Sequence, residues 1–545
     1  MSEGPLSKLR SRLPTVSLSR LHWWLRGFAM VVVVGCALQL LAFSFGRDQG
    51  IYATVGSGIL SGKVPYLHLW DFKPPGIFLV YALAEAVFGH NMAAPRVLEA
   101  AGLVAMALAM GEISEHWYGS KSPGWIGAAI AAIVHVEMDF WHSGQPESFA
   151  GILTILALWL AVRESSPRLR PWLWAVAGTL LGFCSLLKPP LGGVGIILGA
   201  YLARQQRTIG RDGLLRGLAA MVFGAMVPFL LCAGWFWLRG GWSALLWTFK
   251  DYVPGYTALG WQGEHRALEM FYFATVEALT RFSALIVIGV TLALMLPVLT
   301  VHEQSGTFLL LGCAVVQITG IALQGKFFQY HYGATTPLLS LVAGLGWHKL
   351  WGKSWARRPT GPLLVAATVI AALYMRKPVQ DVPGTVPERS LARFEYLLRV
   401  GEHRSRALLD ADLHRAADYD LAADRKVAEW VEQNTEPRDA ILVWGFEPVI
   451  YWLTGRRPAT RFIYNVPQRS PWQTEVSQRI YFDEVRASRP TAIVVQHHDV
   501  FPGVTGYTTD SAADLARFPE LERYVADGFE FETSIEDFDL YRRKL

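Results

Sequence analysis

Long apolar runs separated by short polar segments occupy the first 375 residues. A helix needs about 20 predominantly apolar residues to cross the hydrocarbon core of a bilayer. By this criterion we predict about twelve membrane spans, at roughly 27–45, 75–90, 94–112, 124–141, 147–162, 172–187, 189–203, 216–238, 281–300, 307–323, 335–348 and 361–375. The pattern therefore predicts a polytopic α-helical membrane protein.

From residue 376 onward the pattern is that of a small α/β domain. A charged, helical stretch at about 387–433 precedes two short apolar runs, 440–445 and 491–496, that are typical of buried strands. The segment FEFETSIEDFDLYRR near the end is typical of a closing strand or hairpin. Alternating strands and helices predict a compact α/β layer structure over 376–545.

Composition supports the membrane interpretation. Hydrophobic residues make up 52% of the chain and charged residues only 17%, whereas soluble domains carry about 25% charged residues. The net charge of +5 does not indicate nucleic acid, because Lys and Arg stand in short clusters between apolar runs. The four cysteines all lie in apolar segments, where we interpret them as packing residues.

The placement of Lys and Arg predicts an orientation. The basic N-terminal tail, residues 1–26, is expected to be cytoplasmic, as are the later basic clusters. Segments 46–74, 239–270 and 324–334 and the C-terminal domain then face outward. Three apolar runs separate the first of these loops from a polar segment at 142–147. An outward position for both requires an even number of crossings, so the span count here is left open.

The outward loops have distinct compositions. Residues 46–74 alternate small apolar residues with Gly and Pro, which predicts short amphipathic helices along the membrane surface. Residues 239–270 are rich in Trp and Tyr, which favour the headgroup level of a membrane.

Ionisable groups near the outer ends of spans are the first candidates for chemistry, because charge at a membrane is costly unless function or pairing keeps it. Asp48 follows the first span and could serve as a carboxylate base, or it could form an interfacial charge pair with Arg47. Lys73 and Lys188 each precede two prolines on the outward side. Two outward lysines suit an anionic ligand such as a phosphate.

Two further polar clusters could belong to the same face. EMDFWHSGQPESF contains Glu137, Asp139, His142 and Glu147, and GKFFQYHYG contains Lys326, His331 and Tyr332. Carboxylates with a histidine could hold a divalent cation such as Mg²⁺ or Mn²⁺, but the spacing matches no specific metal motif. Asp48 and Glu147 are the candidate ligands, and the need for a metal is left open. A solvated loop is the favoured interpretation of the first cluster.

The order of motifs resembles bacterial membrane glycosyltransferases of the GT-C superfamily. The likeness is to the protein mannosyltransferase-like and aminoarabinose-transferase-like enzymes, which use polyprenyl-phosphate sugars. It rests on an acid after the first span, a following Tyr, a Gly-x-x-Pro-Tyr stretch, Lys-Pro-Pro and an Arg after Phe-Gly. In this chain these are Asp48, Tyr52, Gly62 with Pro65 and Tyr66, Lys73 with Pro74 and Pro75, and Arg96 after Phe88 and Gly89.

Downstream segments extend the resemblance. Glu147 stands where the family usually has a second acid, commonly Asp, and Lys188 ends a small-residue span as in the family. KFFQYHYGATTPLLSLVAG resembles the Tyr-bearing stretch before a Pro-containing span, and it places His331 and Tyr332 among the candidates. The residue after Asp48 is Gln49 where the family often has an acid, which weakens a metal role for that pair.

The resemblance implies an inverting glycosyltransferase, a hexosyl or pentosyl transferase, of the bacterial cytoplasmic (inner) membrane. It would move a sugar from a polyprenyl-phosphate donor to a lipid, glycan or protein acceptor at the outer face. Asp48 would be the general base. The substrate- or phosphate-binding residues would be Lys73, Lys188, Arg96, Glu147, His331, Tyr332, Tyr52 and Tyr66. The C-terminal domain would be extracytoplasmic, as a lid or acceptor platform.

Two other classes of function fit a membrane protein with charged loops. A transporter or flippase of a lipid-linked or anionic solute would be expected to show inverted repeats and broken helices, and the sequence has no such symmetry. A binding or scaffold protein built on a degenerate enzyme is the other alternative. Consumption of a labelled polyprenyl-phosphate sugar would distinguish the three.

Overall fold

The computed structural model describes residues 18–163, 170–261, 266–281, 283–295, 299–357, 361–375, 384–414 and 419–544. Most of the tail at 1–26 and the predicted domain boundary at 376 lie outside the described residues.

The described ranges of the membrane part consist mainly of helices joined by loops. Its helices are α1 (Leu18–Leu40), α2 (Arg47–Leu60), α3 (Gly76–Phe88), α4 (Ala93–Tyr118), α5 (Lys121–Glu137), α6 (Asp139–His142), α7 (Pro146–Arg163), α8 (Pro171–Leu187), α9 (Val194–Arg204), α10 (Gln206–Leu238), α11 (Trp242–Trp247), α12 (Val253–Gly260), α13 (Ala267–Arg281), α14 (Ala284–Met295), α15 (Val301–Gln324), α16 (Thr336–Arg357) and α17 (Gly361–Met375). Short 3₁₀ turns cover Pro189–Gly193 and Gln329–Tyr332, and a π turn covers Thr248–Tyr252.

The C-terminal part alternates helices and strands. Its elements are α18 (Val386–Leu398), α19 (Arg406–His414), α20 (Leu421–Asn434), β1 (Ala440–Trp444), α21 (Val449–Thr454), β2 (Arg457–Pro458), α22 (Thr474–Ser488), β3 (Ala492–Gln496), α23 (Pro502–Thr505), α24 (Ser511–Leu515), α25 (Pro519–Gly528), β4 (Phe529–Ile535) and β5 (Phe538–Arg543). A further 3₁₀ turn covers Pro467–Arg469.

A single mixed sheet organises this C-terminal part. The strand order is β2-β1-β3-β5-β4, with β1 parallel to β2 and β3 and the final hairpin antiparallel to β3. Both central strands are buried along their whole length, as expected for apolar runs covered on two faces. The predicted strands near 440 and 491 and the closing hairpin are therefore confirmed.

The number of spans differs from the prediction. Among the described residues, five helices are long and apolar enough to cross a membrane, or six if the bent pair α13 and α14 forms one span. The predicted count of about twelve is not confirmed, because several apolar runs form shorter helices. The chain is a multi-pass membrane protein, and these five helices are α1, α4, α7, α10 and α15.

Helix α3 bears on the odd number of crossings noted in the sequence. It has 13 residues and is about 20 Å long, short of the roughly 30 Å hydrocarbon core. Its first residue, Gly76, packs on the backbone of Leu186, and Glu85 near its end accepts a hydrogen bond from the indole of Trp452 in α21. Helix α3 is thus shorter than the span predicted at 75–90 and contacts α8 at its start and α21 near its end. Without a crossing by α3, the number of crossings between the loop at 46–74 and the segment at 142–147 would be even.

Helix α2 is packed between α3 and α21. A Cβ at Gly50 would lie 2.8 Å from Cβ of Val449 in α21, and one at Gly56 would lie 2.9 Å from the backbone nitrogen of Ala82 in α3. The two glycines therefore allow close approach on both sides. Ten of the 14 residues of α2 are buried, so protein covers the helix on both sides. Its position along the membrane surface stays a prediction.

Candidate functional site

The first turn of α2 carries Asp48, and its carboxylate is held by two side chains from other segments. The ammonium of Lys73 lies 2.8 Å from Oδ1 of Asp48, and the amide of Gln145 donates to Oδ2 at 3.1 Å. The side chains of Asp48 and Lys73 keep 22% and 15% of their exposure, so solvent or substrate reaches both. A carboxylate in the first helical turn also gains from the helix dipole.

Both partners of this pair stay charged near neutral pH. Burial alone would raise the pKa of Asp48, but the charge of Lys73 and the hydrogen bonds from Lys73 and Gln145 hold that pKa below its ordinary value. Burial would lower the pKa of Lys73, yet Asp48 and Asp71 raise it above its ordinary value. Asp48 is therefore an ionised acceptor whose basicity depends on Lys73.

A second ion pair lies beside the first. Nζ of Lys188 is 2.5 Å from Oε1 of Glu147. The two Lys-Pro-Pro motifs meet in the fold. Gly76, which follows the first motif, packs against Leu186, which stands two residues before Lys188. A Cβ at Gly76 would lie 2.6 Å from the carbonyl oxygen of Leu186. Burial lowers the pKa of Lys188, with Lys73 and Asp48 among the charges that act on it. The structure thus brings the four predicted residues of opposite charge together.

His331 joins the second pair as a neutral ring. Its Nδ1 lies 2.8 Å from the carbonyl oxygen of Lys326, which can only accept, so Nδ1 carries the proton. Nε2 faces Oε1 of Glu147 at 4.0 Å. Burial, followed by the charge of Lys188, lowers the pKa of His331 well below its ordinary value. A cationic role for His331 toward a phosphate is therefore not supported.

Tyr332 points away from this cluster. Its buried hydroxyl donates to the carbonyl of Ala274 in α13 at 3.0 Å. The 3₁₀ turn that contains it directs Tyr330 toward the site instead, and Nζ of Lys188 lies 5.9 Å from the centre of that ring. The hydroxyl of Tyr332, a predicted substrate ligand, is thus engaged by a backbone carbonyl, and Tyr330 is the tyrosine of this turn that lies beside Lys188.

Arg96 is fully buried and holds a loop rather than facing the site. Its guanidinium donates to Glu99, to the hydroxyl of Ser143 and to the carbonyls of Ser44 and Phe140. Gly144 has φ +69°, and a Cβ there would lie 2.6 Å from Nη1 of Arg96. Arg96 thus supports the turn that presents Gln145 and Glu147. A direct contact of Arg96 with a phosphate, as predicted, is inconsistent with this placement.

Tyr52 and Tyr66 also act through neighbours. The hydroxyl of Tyr52 donates to Oε1 of Gln145 at 2.8 Å, which turns the amide nitrogen toward Asp48. The hydroxyl of Tyr66 donates to the carbonyl of Lys73 at 2.7 Å. Both tyrosines are fully buried, so they position the ion pair instead of lining a sugar pocket.

Sequence reasoning missed the support that the C-terminal part gives to this site. The hydroxyl of Tyr464 donates to Oδ1 of the fully buried Asp71, whose Oδ2 accepts from the backbone nitrogen of Lys73. Arg47 donates twice to Oε1 of Glu447, which is 400 residues later in the chain. The position of Gln145, two residues before Glu147, is a local signal in the sequence, but no local signal points to Tyr464 or Glu447.

Aromatic side chains surround the charged cluster. Phe72 packs on Tyr256 with ring centres 4.5 Å apart, and Phe328 stacks on Tyr330 at 5.7 Å. Lys326 places its ammonium 4.7 Å from the centre of the Tyr256 ring and donates to the carbonyl of Gly503. The aromatic loop predicted at 239–270 contributes Tyr256 here, although residues 262–265 lie outside the described part.

The residues present do not fit a divalent cation. The described ranges contain no group of three or more His, Cys, Asp or Glu side chains placed to hold a metal. The two candidate ligands, Asp48 and Glu147, each hold a lysine ammonium that a cation would have to displace. The donor set is therefore that of two ion pairs.

Part of the chain matches a known protein family. Residues 72–235 match the family described as dolichyl-phosphate-mannose-protein mannosyltransferase. That segment includes Lys73, Glu147 and Lys188, but it spans less than half of the chain. No protein in the curated set matches the chain significantly.

The fold is that of a solved membrane enzyme. ArnT from Cupriavidus metallidurans bound to undecaprenyl phosphate superposes with a TM-score of 0.58 at 14% identity, covering 95% of this chain and 97% of that one. Its apo structure gives the same values. The oligosaccharyltransferase AglB from Archaeoglobus fulgidus reaches a TM-score of only 0.44 at 13% identity, over 96% of this chain and 74% of its own. The resemblance to the GT-C superfamily is confirmed.

Proposed function

We propose that this protein is an inverting glycosyltransferase that moves a sugar from a polyprenyl-phosphate donor to an acceptor hydroxyl or amine. The observation that carries the proposal is the pairing of Asp48 with Lys73 beside the pairing of Glu147 with Lys188. A transfer from a glycosyl phosphate needs a base for the acceptor and cations for the leaving phosphate. The two pairs supply both within one cluster.

Asp48 is the general base in this proposal. Its carboxylate takes the proton of the acceptor while the acceptor atom attacks the anomeric carbon. The bond between that carbon and the phosphate oxygen breaks on the opposite side, and its electron pair leaves with the polyprenyl phosphate. The sugar is thereby inverted at the anomeric centre, and Asp48 later returns the proton to solvent. Because solvent reaches the carboxylate, an acceptor can do so as well.

Lys73 and Lys188 stabilise the leaving phosphate. Each ammonium has one carboxylate partner, so a phosphate of higher charge can compete for it. When Lys73 turns to the phosphate, the attraction that keeps the pKa of Asp48 low weakens. Donor binding thus makes Asp48 a stronger base at the moment when one is needed.

The second acid serves the acceptor side. Oε2 of Glu147 is buried and has no hydrogen-bond partner among the described residues, and a buried acceptor of this kind is costly unless a ligand satisfies it. A sugar or acceptor hydroxyl that donates to Oε2 would fit. Tyr330 and Phe328, stacked at the same place, offer an apolar face for a pyranose or furanose ring.

The donor class is supported by the shared fold. ArnT from Cupriavidus metallidurans, which has this fold, binds undecaprenyl phosphate, and residues 72–235 match a family named for a dolichyl-phosphate-linked sugar. We place the site on the outer face of the bacterial cytoplasmic membrane, where lipid-linked sugars replace cytosolic nucleotide sugars. The acceptor is a lipid, glycan or protein, and the sugar a hexose or pentose.

Purified protein incubated with a radiolabelled polyprenyl-phosphate sugar and a cell-envelope extract that supplies lipid, glycan and protein acceptors tests the proposal. The wild type should consume the donor and release polyprenyl phosphate, and Asp48→Asn should lower that rate by about 10³-fold or more, as for loss of an essential base. Arg523→Gln, an exposed change in α25, is the control. Binding of the donor without consumption by the wild type would instead favour a transporter, and undiminished turnover by Asp48→Asn would remove it as the base.

A further inference from the structure

A basic patch lies where α2 and α10 end. It consists of Lys63 and His68, in the loop that follows α2, Arg239, directly after α10, and Arg457 in β2. Nη2 of Arg239 donates to the carbonyl oxygen of Gly62 at 2.6 Å, which ties the two loops together. The patch therefore joins three parts of the chain that are distant in sequence.

The charges of the basic patch are not compensated. Within the described ranges, Lys63, Arg239 and Arg457 form no ion pair, whereas the nearby Arg461 is paired with Glu484. Burial and then the charge of Arg457 lower the pKa of Lys63. Burial and then the charges of Lys63, Arg461 and Arg239 lower the pKa of His68. Like charges held together repel one another, and a bound anion would relieve that repulsion.

His68 adds a neutral hydrogen-bond donor. The backbone nitrogen of Val64 donates to Nδ1 of His68 at 2.9 Å, so the proton of the neutral ring is on Nε2. The basic patch thus combines three cationic groups with an N–H donor. Guanidinium and ammonium groups with such a donor are the residue types that hold phosphate oxygens.

The basic patch lies at the level of the lipid headgroups. The span in α10 ends at Leu238, and Arg239 is the next residue. Trp237, Leu238 and Trp242 are 71%, 76% and 39% exposed, and aromatic residues at the end of a span favour the membrane interface. The apolar rim faces lipid tails while the basic groups reach the headgroup region.

We propose that the basic patch binds the phosphate of an anionic phospholipid headgroup in the leaflet on the Asp48 side of the membrane. The site is separate from the sugar-transfer centre, because α2 puts about 20 Å between Asp48 and Lys63 at roughly 1.5 Å per residue. The proposal therefore holds or fails independently of the proposed transferase reaction. A bound phospholipid would anchor the outer ends of α2 and α10 to the membrane surface.

Native mass spectrometry of the full-length, delipidated protein in detergent tests the proposal. The probes are phosphatidylglycerol, phosphatidylcholine and inorganic phosphate. The wild type should bind phosphatidylglycerol at least about 10-fold more tightly than phosphatidylcholine. The triple variant Lys63→Gln, Arg239→Gln, Arg457→Gln should bind phosphatidylglycerol about 10- to 100-fold more weakly, given the usual contribution of basic residues near an anionic surface. The single variant Lys63→Gln, which keeps the Arg239 contact, should show a smaller loss.

The control removes three positive charges elsewhere. Arg479→Gln, Arg489→Gln and Arg523→Gln change exposed residues of the C-terminal part and should leave phosphatidylglycerol binding within about 2-fold. Equal binding of both phospholipids by the wild type would overturn the proposal. So would equal loss in the control and in the patch variant, or complete displacement of the lipid by millimolar inorganic phosphate.

Discussion

The ammonium of Lys73 lies 2.8 Å from the carboxylate of Asp48, although the two residues come from different segments that meet only in the folded protein. This contact joins the proposed base to the proposed phosphate ligand. Any change in the charge of one therefore alters the chemistry of the other.

Replacing Lys73 by Met should shift the acid limb of the plot of kcat/KM against pH. Without Lys73 the pKa of Asp48 rises, because the main opposing effect to burial is lost. The base is then protonated at higher pH, so the acid limb of kcat/KM shifts upward. We also expect kcat/KM at pH 8 to fall about 10²- to 10³-fold from loss of the phosphate contact. Lys426→Met, on the exposed face of α20, should change neither; an unshifted limb in Lys73→Met would contradict the coupling.

Tyr52 and Gln145 should behave as one unit. Gln145→Leu removes the amide that donates to Asp48 and should lower kcat by about 10-fold or more, since hydrogen bonds to charged groups contribute about 1.5–3 kcal/mol. Tyr52→Phe only frees the amide to rotate, which should cost less. Because both changes act on one contact, the double variant should match Gln145→Leu alone. If the losses of kcat in the two single variants add in the double variant, Tyr52 acts on catalysis by a contact other than its hydrogen bond to Gln145.

Arg96→Met should impair folding more than donor binding. The guanidinium is fully buried against Glu99 and several loop carbonyls, and breaking a buried ion pair by removing one partner costs about 3–5 kcal/mol. Thermal unfolding in detergent should show a large drop in Tm. Donor affinity per folded molecule should stay within about 3-fold of the wild type. A selective loss of donor affinity with an unchanged Tm would restore the direct phosphate contact.

His331→Gln should have a small effect on donor affinity. The ring is neutral in the structure, with its proton committed to the carbonyl of Lys326, and Gln can replace that donor. The Kd for the polyprenyl-phosphate donor should change less than about 3-fold, a fraction of what loss of a charged contact costs. The Kd should also stay constant between about pH 5.5 and 7.5, where an ordinary histidine titrates. A loss of 10-fold or more at low pH would identify His331 as a cationic ligand after all.

Glu447 should make stability depend on pH. Burial raises the pKa of Glu447 from 4.5 to about 7, against the lowering effects of Arg47 and of its hydrogen bonds. The unfolded chain releases this proton first, so the free energy of unfolding falls as pH rises from about 5 to about 7. In Glu447→Gln this decline should be smaller, which thermal unfolding at several pH values measures. Exposed Glu436→Gln is the control; identical slopes in all three proteins would contradict the shift.

The sequence predicted the participants in the central cluster better than their contacts. Asp48, Lys73, Glu147 and Lys188 were identified because charge beside a span is costly and because prolines mark where helices start. Their pairing needed the close approach of Gly76 to Leu186, which no local pattern encodes. Arg96 and Tyr332 were assigned by motif position alone. Their side chains face other groups of the protein, because the direction of a side chain depends on tertiary packing.

Hydropathy likewise predicted where apolar helices occur better than which of them cross. Helix α3 is apolar, but with 13 residues it is shorter than the helices that meet the length criterion for a span. The strands of the C-terminal part were predictable because buried strands have continuous apolar runs. The way this part contacts α2 was not, since Gly50 and Val449 are distant in sequence.

The contact between Arg47 and Glu447 can form only late in the synthesis of the chain. The two residues are 400 positions apart, so at about 5–20 residues per second the ribosome makes Glu447 roughly 20 to 80 s after Arg47. Throughout that interval the guanidinium beside Asp48 stays without its buried carboxylate. The cluster around Asp48 therefore gains the support of Glu447 and Tyr464 only after the last quarter of the chain has been made, and a chain that ends before residue 447 lacks both contacts.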